Sequence, residues 1–307
     1  MRLVAAAGVA AIATSVLVPA AGIGTSAATA AAPSARAAVT DHREARVLRV
    51  GTYDGKPGQF RTIQAAVDAA KPGDWILIAP GDYKTHSAKA TASAPNEPAG
   101  VLVTTPDLFI RGMDRNRVIV DGTKSGPPCS TATKDQYFGP RDSQGDALGT
   151  NGVMVSQASN VWVQNLTACN FLSGSGGNGN EIWWNDGDDT GKLGAAHGFL
   201  GSYMTATSTY FHDESTAAAY GIFSSNWRGG TWDRSYASNF NDSGYYIGAC
   251  RHVCNQVVNH AWAEYNALGY SGSNSGGSLI VKNSEFDRNE DGFDTNSQNG
   301  DNPPPQN

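Results

Sequence analysis

Asn241-Asp242-Ser243-Gly244-Tyr245-Tyr246, Asn266-Ala267-Leu268-Gly269-Tyr270-Ser271 and Asn289-Glu290-Asp291-Gly292-Phe293-Asp294 repeat one short phrase. Each sets an Asn three residues before a Gly and an aromatic directly after it. The glycine recurs at Gly198, Gly221, Gly244, Gly269 and Gly292, at intervals of 23, 23, 25 and 23 residues. Phe199-Leu200 follows the first and Ile222-Phe223 the second. A repeat of this length, rich in Gly, Asn, Ser and β-formers, predicts a solenoid of stacked strands, each coil completing the core of its neighbour. Stacking like on like places Tyr220, Tyr245, Tyr270 and Phe293 near the interior and lets Asn side chains bond from coil to coil at the turns. Asn suits those turns because it tolerates left-handed backbone.

Two further strands per repeat are legible. Gln256-Val257-Val258 and Asn259-His260-Ala261-Trp262 precede Gly269, and Leu279-Ile280-Val281 and Asn283-Ser284-Glu285-Phe286 precede Gly292. Asn259 and Asn283 lie 24 apart, as do Val257 and Val281. Upstream, Ile63, Ala66, Val67 and Ala70 fall on one face of a short helix. Lys71-Pro72-Gly73-Asp74 stops it, and Trp75 to Ala79 reads as a buried strand closed by Pro80-Gly81-Asp82-Tyr83. Residues 84 to 100, rich in Ala, Thr, Ser and Pro, read as a loop. Val101 to Thr104, Leu108 to Arg111 and Val118 to Val120 read as short strands, and residues 123 to 150 as a long insertion.

From Thr62-Ile63-Gln64-Ala65-Ala66-Val67-Asp68-Ala69-Ala70 through Pro80-Gly81-Asp82-Tyr83, and in the coils beyond, the chain resembles the pectin-lyase-like superfamily over residues 60 to 307. The resemblance implies an all-β fold, a right-handed parallel β-helix with a short N-terminal capping helix. It does not select an activity, because that fold carries lyases, hydrolases, esterases, epimerases and proteins without catalysis.

The chain has 307 residues, 16% of them charged against a typical ~25%, and 36 Gly. The formal net charge of −6 speaks against nucleic acid as a partner. Met1-Arg2, the apolar run Leu3 to Val18 and the Ala-rich stretch to Ala38 read as a secretory signal over residues 1–38, with cleavage after Ala32 or Ala38. Residues 39–307 are then one β-helix domain of an extracellular monomer with no membrane segment after cleavage. The last coil is followed at once by Asp301 to Asn307 without a cap, so a C-terminal truncation is expected. Cys129, Cys169, Cys250 and Cys254 in an exported chain favour disulfides, and four cysteines allow three pairings. Cys250 with Cys254 would pin one turn, leaving Cys129 to tie a long loop to Cys169. Cys250-Arg251-His252-Val253-Cys254 offers a metal three ligands, but no second motif completes the set.

Asn289-Glu290-Asp291-Gly292-Phe293-Asp294 resembles the Asn-Thr-Asp-Gly-x-Asp segment of the polygalacturonase family, with Glu290 in place of Thr. The resemblance assigns Asp291 to the carboxylate set that activates water, with Asp294 beside it as a second catalytic candidate. That family's downstream Asp-Asp, Gly-His-Gly and Arg-x-Lys segments are not found here. The alternative is that Asp291-Gly292 is simply a solenoid turn. With Phe293 inward, period-2 alternation turns Asp294 outward in a row with Ser271, Tyr246, Phe223 and Leu200. Tyr246 is thus a candidate sugar platform, and so is Trp183, because Trp183 and Trp184 must face opposite ways. Asp186-x-Asp188-x-Thr190-Gly191 resembles the start of a calcium loop, although His197 stands where its closing Glu belongs. Asp186 and Asp188 are therefore metal candidates and Ca2+ a candidate cofactor. No nucleophile elbow or His triad spacing is present. The sequence points to a secreted, carbohydrate-active protein that cleaves an extracellular acidic polysaccharide by hydrolysis or lyase chemistry; the alternative is a non-catalytic glycan-binding or cell-surface structural β-helix.

Overall fold

Three long sheets run side by side through the structure, a computed structural model that describes residues 44–86, 89–92, 94–187 and 194–297. The signal segment, Asp188 and the residues after 297 lie outside the described residues. The first sheet stacks Val47–Val50, Trp75–Ile78, Phe109–Gly112, Val161–Gln164, Phe199–Ser202, Gly230–Asp233, Gln256–Asn259 and Ile280–Lys282. The second stacks Gly81–Lys84, Val118–Asp121, Thr167–Cys169, Thr205–Thr207, Tyr236–Ser238, Trp262–Glu264 and Glu285–Phe286. The third, with the longest strands, stacks Ala94–Val103, Asn151–Ser156, Asn180–Asn185, Tyr220–Ser225, Ser243–Arg251, Leu268–Ser275 and Asp291–Asn296. Every pairing along these stacks is parallel, and the chain visits the sheets in fixed order, first, second, third. This is the right-handed parallel β-helix, with coils ~4.8 Å apart.

The interior is built by register. Val101, Val153, Ile182, Ile222, Tyr245 and Tyr270 form one ladder inside the third sheet, and Phe293, expected inside with them, continues it as an end rung that is 50% exposed. Trp184 stacks on Phe199 at 4.7 Å across the core, and Trp232 lies 5.9 Å from Tyr245. Gly221, Gly244, Gly269 and Gly292 fall in register, as their spacing implies. A Cβ on Gly244 would come within 2.9 Å of Ala263 Cβ, so the corner between the second and third sheets has no room for one.

Several expectations need correction. Gly198 is not in this glycine ladder. Phe199–Ser202 belongs to the first sheet, where Leu200 pairs with Trp162 and Thr231. A spacing of one coil length cannot distinguish two sheets that share the same period. Tyr220 opens its strand on the outer side and stacks on Tyr246 at 4.9 Å rather than entering the core. Asn259 pairs with Lys282, not Asn283, although the Asn283 amide still donates to Asn259 Oδ1 at 2.9 Å. Of the turn asparagines, Asn266 Nδ2 donates to Asn289 Oδ1 at 2.9 Å, whereas Asn241 turns away to Glu214 O. The coil of Asn241 has one more residue in its turn, so the Phe240 N–H takes the place at Asn266 Oδ1. Within residues 84 to 100, Ala94–Val103 is a strand, paired antiparallel with Lys89–Thr91.

The capping helix is Ile63–Ala69, with Thr62 accepting from Ala65 N at its start and Ile63, Ala66 and Val67 buried. Gln64 does more than present a polar face. Its amide accepts from Leu102 N at 2.7 Å and donates to Leu102 O at 3.1 Å, pairing the free edge of the third sheet as another strand would. Both disulfides form, Cys129–Cys169 and Cys250–Cys254, and no cysteine among the described residues is free. The first anchors the long insertion. Asp121, fully buried, holds the same loop by accepting from Thr123 N, Cys129 N and Lys84 Nζ.

Candidate functional site

Period-2 alternation along the third sheet turns a second ladder outward. Leu102, Met154, Trp183, Phe223, Tyr246, Ser271 and Asp294 are consecutive rungs of it. Trp183 and Phe223 stack at 4.9 Å with planes 7° apart, and Tyr246 follows at 4.8 Å from Phe223. Tyr220 leans in against both Phe223 and Tyr246. Four rings thus make a continuous aromatic floor on the outside of the solenoid. Loops leaving the second sheet and loops entering the first border it. Trp183 and Phe223 are each only 7% exposed, so the floor is packed.

The rim carries the Glu97 carboxylate among amides and hydroxyls that hydrogen-bond to one another. Trp183 Nε1 donates to Ser225 Oγ at 3.0 Å, and Ser225 Oγ donates to Asn185 Oδ1 at 3.1 Å. Across the floor, Asn180 Nδ2 donates to Asn151 Oδ1 at 2.7 Å, and Asn151 Nδ2 to Glu97 Oε2 at 3.3 Å. Trp183, Phe223, Tyr220, Asn180, Asn185 and Glu97 are among the walls of a depression of 280 Å³. Among the described residues no Lys, Arg or His lines it. Burial raises the Tyr220 and Tyr246 hydroxyls above their ordinary pKa, with Asp242 adding to the effect at Tyr220, so both stay protonated donors.

Asp294 is the rung two below Tyr246, about 10 Å along the ladder. Its Oδ2 accepts from Asn296 Nδ2 at 2.5 Å. Asp291 is exposed at the start of the same strand, and its Oδ1 accepts from Phe293 N at 3.2 Å. Asp294 therefore shares the row of Tyr246 and Trp183, as alternation implies, while Asp291 stands at the strand's entrance. Leu200 has no part in the row. Asp186 is 2% exposed and accepts from Ala196 N at 2.9 Å, which ties down the loop after Trp184. Burial raises its pKa, partly offset by that N–H, Arg228 and His197. Among the described residues no three His, Cys, Asp or Glu side chains gather as a metal site. The reading from sequence missed Tyr220, Asn180, Asn185 and Ser225 as rim and floor residues. Counting alternate positions forward from Phe223 and from Trp183 would have found Ser225 and Asn185. Tyr220 escapes that count, because it has the parity of inward Ile222 and yet packs against Phe223 and Tyr246.

No protein-family model matches the chain, and a search of curated proteins gives no match. Among solved structures, the chain is similar to the A-module of Azotobacter vinelandii mannuronan C-5 epimerase AlgE4, at 15% identity and a TM-score of 0.51 over 79% of this chain. The likeness shows the fold, a right-handed parallel β-helix. A pectin methylesterase bound to a hexasaccharide aligns at 13% identity over 76% of this chain, with a TM-score of 0.43. The β-helix spans 57% of the epimerase module and 66% of the methylesterase.

Proposed function

We propose that the β-helix is a secreted polysaccharide-active protein that lays a glycan chain along the outer face of the third sheet. The observation that carries this reading is the four-ring floor of Trp183, Phe223, Tyr246 and Tyr220 inside a rim of amides and hydroxyls. Sugar faces stack on rings, and their hydroxyls need fixed donors and acceptors; such a groove offers both. The likeness to polysaccharide-modifying β-helices supports the same class of partner. In the catalytic version, a chain seated on Tyr246 extends toward Asp294, and Asp291 completes the carboxylate pair that glycoside hydrolysis uses. The non-catalytic version draws support from the floor itself, whose described lining residues include no cationic or imidazole side chain.

The test is to incubate the protein with uronic-acid and neutral polysaccharides while following reducing ends and the absorbance of unsaturated products. Calcium is added in one arm and chelated in the other, because Asp186 and Asp188 head a calcium-like segment. Binding to at least one glycan that is lost in Tyr246→Ala supports the groove. Equal binding by wild type and Tyr246→Ala on every glycan rejects it.

A further inference from the structure

The outer face of the second sheet carries another pair of rings, in different company. Tyr236 and Trp262 are adjacent rungs whose rings meet edge to face at 5.4 Å. Trp262 is 45% exposed although Asp287 holds its Nε1 at 3.1 Å, so a fixed ring shows an open surface to solvent. At the corner beside it, Tyr203, Arg234 and His260 occupy the left-handed turn position of successive coils, with φ of 53°, 49° and 50°. All three side chains are exposed there, with the Arg234 guanidinium 5.8 Å over the Tyr203 ring.

Arg115 reaches the same corner from the loop between Phe109–Gly112 and Val118–Asp121. Its Nε donates to Thr205 Oγ1 at 2.7 Å, Nη2 to Met204 O at 2.7 Å and Nη1 to Arg234 O at 3.4 Å. The fork is held by neutral oxygens from two coils. Among the described residues Arg115 makes no ion pair, and burial lowers its pKa from the ordinary arginine value. Arg234 and His260 share a single carboxylate, Asp233. Arg115, Thr205, Arg234, Tyr236, His260 and Trp262 line a depression of 370 Å³. The described lining of the depression thus holds two arginines, one of them a fixed planar guanidinium, and an open indole face, while the carboxylates of Asp233, Glu285 and Asp287 stand beside it.

We propose that this corner is a second glycan site, taking a carboxylate-bearing sugar of an acidic polysaccharide. The sugar face stacks on Trp262, and its carboxylate answers the charge of Arg115 and Arg234. A neutral sugar would leave the half-buried Arg115 charge uncompensated. The proposal names the polymer that the groove reading leaves open, and shares with that reading only the glycan class. An acidic chain would be recognised at this corner even though the described lining of the groove holds no cation.

Affinity electrophoresis tests it with polygalacturonate, a neutral galactan and sodium polyglutamate as a polyanion that is not a sugar. Trp262→Ala and Arg234→Gln change exposed side chains, and their thermal midpoints serve as the folding check. Each should weaken polygalacturonate binding about tenfold or more and leave galactan binding as it was. Polyglutamate should bind far more weakly than polygalacturonate. Unchanged polygalacturonate affinity in both variants overturns the proposal, and so does polyglutamate binding as tight as that of the uronate polymer. If Tyr246→Ala is silent on every glycan while the corner variants fail on polygalacturonate, the groove reading falls and this one stands. The converse pattern removes the corner and keeps the groove.

Discussion

The outer faces of the second and third sheets follow one alternation rule and reach different ends. On the third sheet the outward rings touch each other rung by rung and are nearly buried, with a rim of amides, hydroxyls and the Glu97 carboxylate. On the second sheet Trp262 meets only Tyr236 from the next rung, remains largely open and sits among arginines. The solenoid supplies the same ladder geometry to both. What separates them is the side chains on adjacent rungs. Three large rings on consecutive rungs, with Tyr220 beside them, cover one another, whereas a Trp between a Tyr and a Glu cannot be covered. The rings of the proposed groove are therefore part of the folded core, whereas the ring at the proposed corner site is not.

That distinction makes the largest prediction. Phe223 lies between Trp183 and Tyr246, so Phe223→Ala leaves Trp183 without its stacked partner, leaves Tyr246 with Tyr220 alone and opens a cavity. It should cost about 3–5 kcal/mol in denaturant unfolding, together with loss of glycan binding. Trp262→Ala should cost about 1 kcal/mol or less, since it removes a half-open ring and one hydrogen bond. Comparable losses for the two would show that the faces do not differ in this way.

The inner side of the same sheet gives a smaller effect with a definite pH dependence. Glu181 occupies the ladder of Gly152 and Gly221 and is fully buried. Its Oε1 accepts from Phe171 N at 3.2 Å, while Oε2 has no hydrogen-bond partner among the described residues. Burial pushes its pKa well above 4.5, with Asp121 adding to the rise. A raised folded-state value means that the fold holds a proton the unfolded chain has already lost. Stability is then full below about pH 4.5 and falls by up to about 1.4 kcal/mol per pH unit above it, until the folded group ionises. Glu181→Gln removes this dependence. Its unfolding free energy should track wild type near pH 4 and exceed it at pH 8. Parallel pH profiles for the two would mean that Glu181 is charged in the fold.

The coil period and the inward aromatics were legible because Gly and the ring after it are fixed by a corner too tight for a Cβ and by a core that stacks like on like. Tyr245 and Tyr270 follow directly from that. Tyr220 was misread because it stands one residue before the glycine, where strict alternation fails. Leu200 was misplaced because a coil-length spacing repeats equally in each sheet. Trp183, Tyr246 and Asp294 could be read together, since alternation inside one strand needs only local sequence. The Arg115 corner could not. It joins side chains separated by 89 and 90 residues, through a loop that crosses coils, and no periodicity marks such a crossing.

The smallest structural effect belongs to the carboxylates, and it bears most directly on whether the two faces differ in chemistry as well as in packing. Asp291 is exposed, and its one hydrogen bond, from Phe293 N, can be accepted equally by an Asn oxygen. Asp291→Asn should therefore leave unfolding free energy within about 0.5 kcal/mol of wild type. Asp294→Asn keeps an oxygen for Asn296 and should behave alike. If the groove cleaves glycans with this pair, each variant should lower turnover at least about a hundredfold without changing binding to the rings. If the pair only shapes the last strand, turnover and stability should both be untouched. A β-helix that cleaves as fast with Asn at both positions would place any chemistry elsewhere and leave the third sheet as a binding face like the corner.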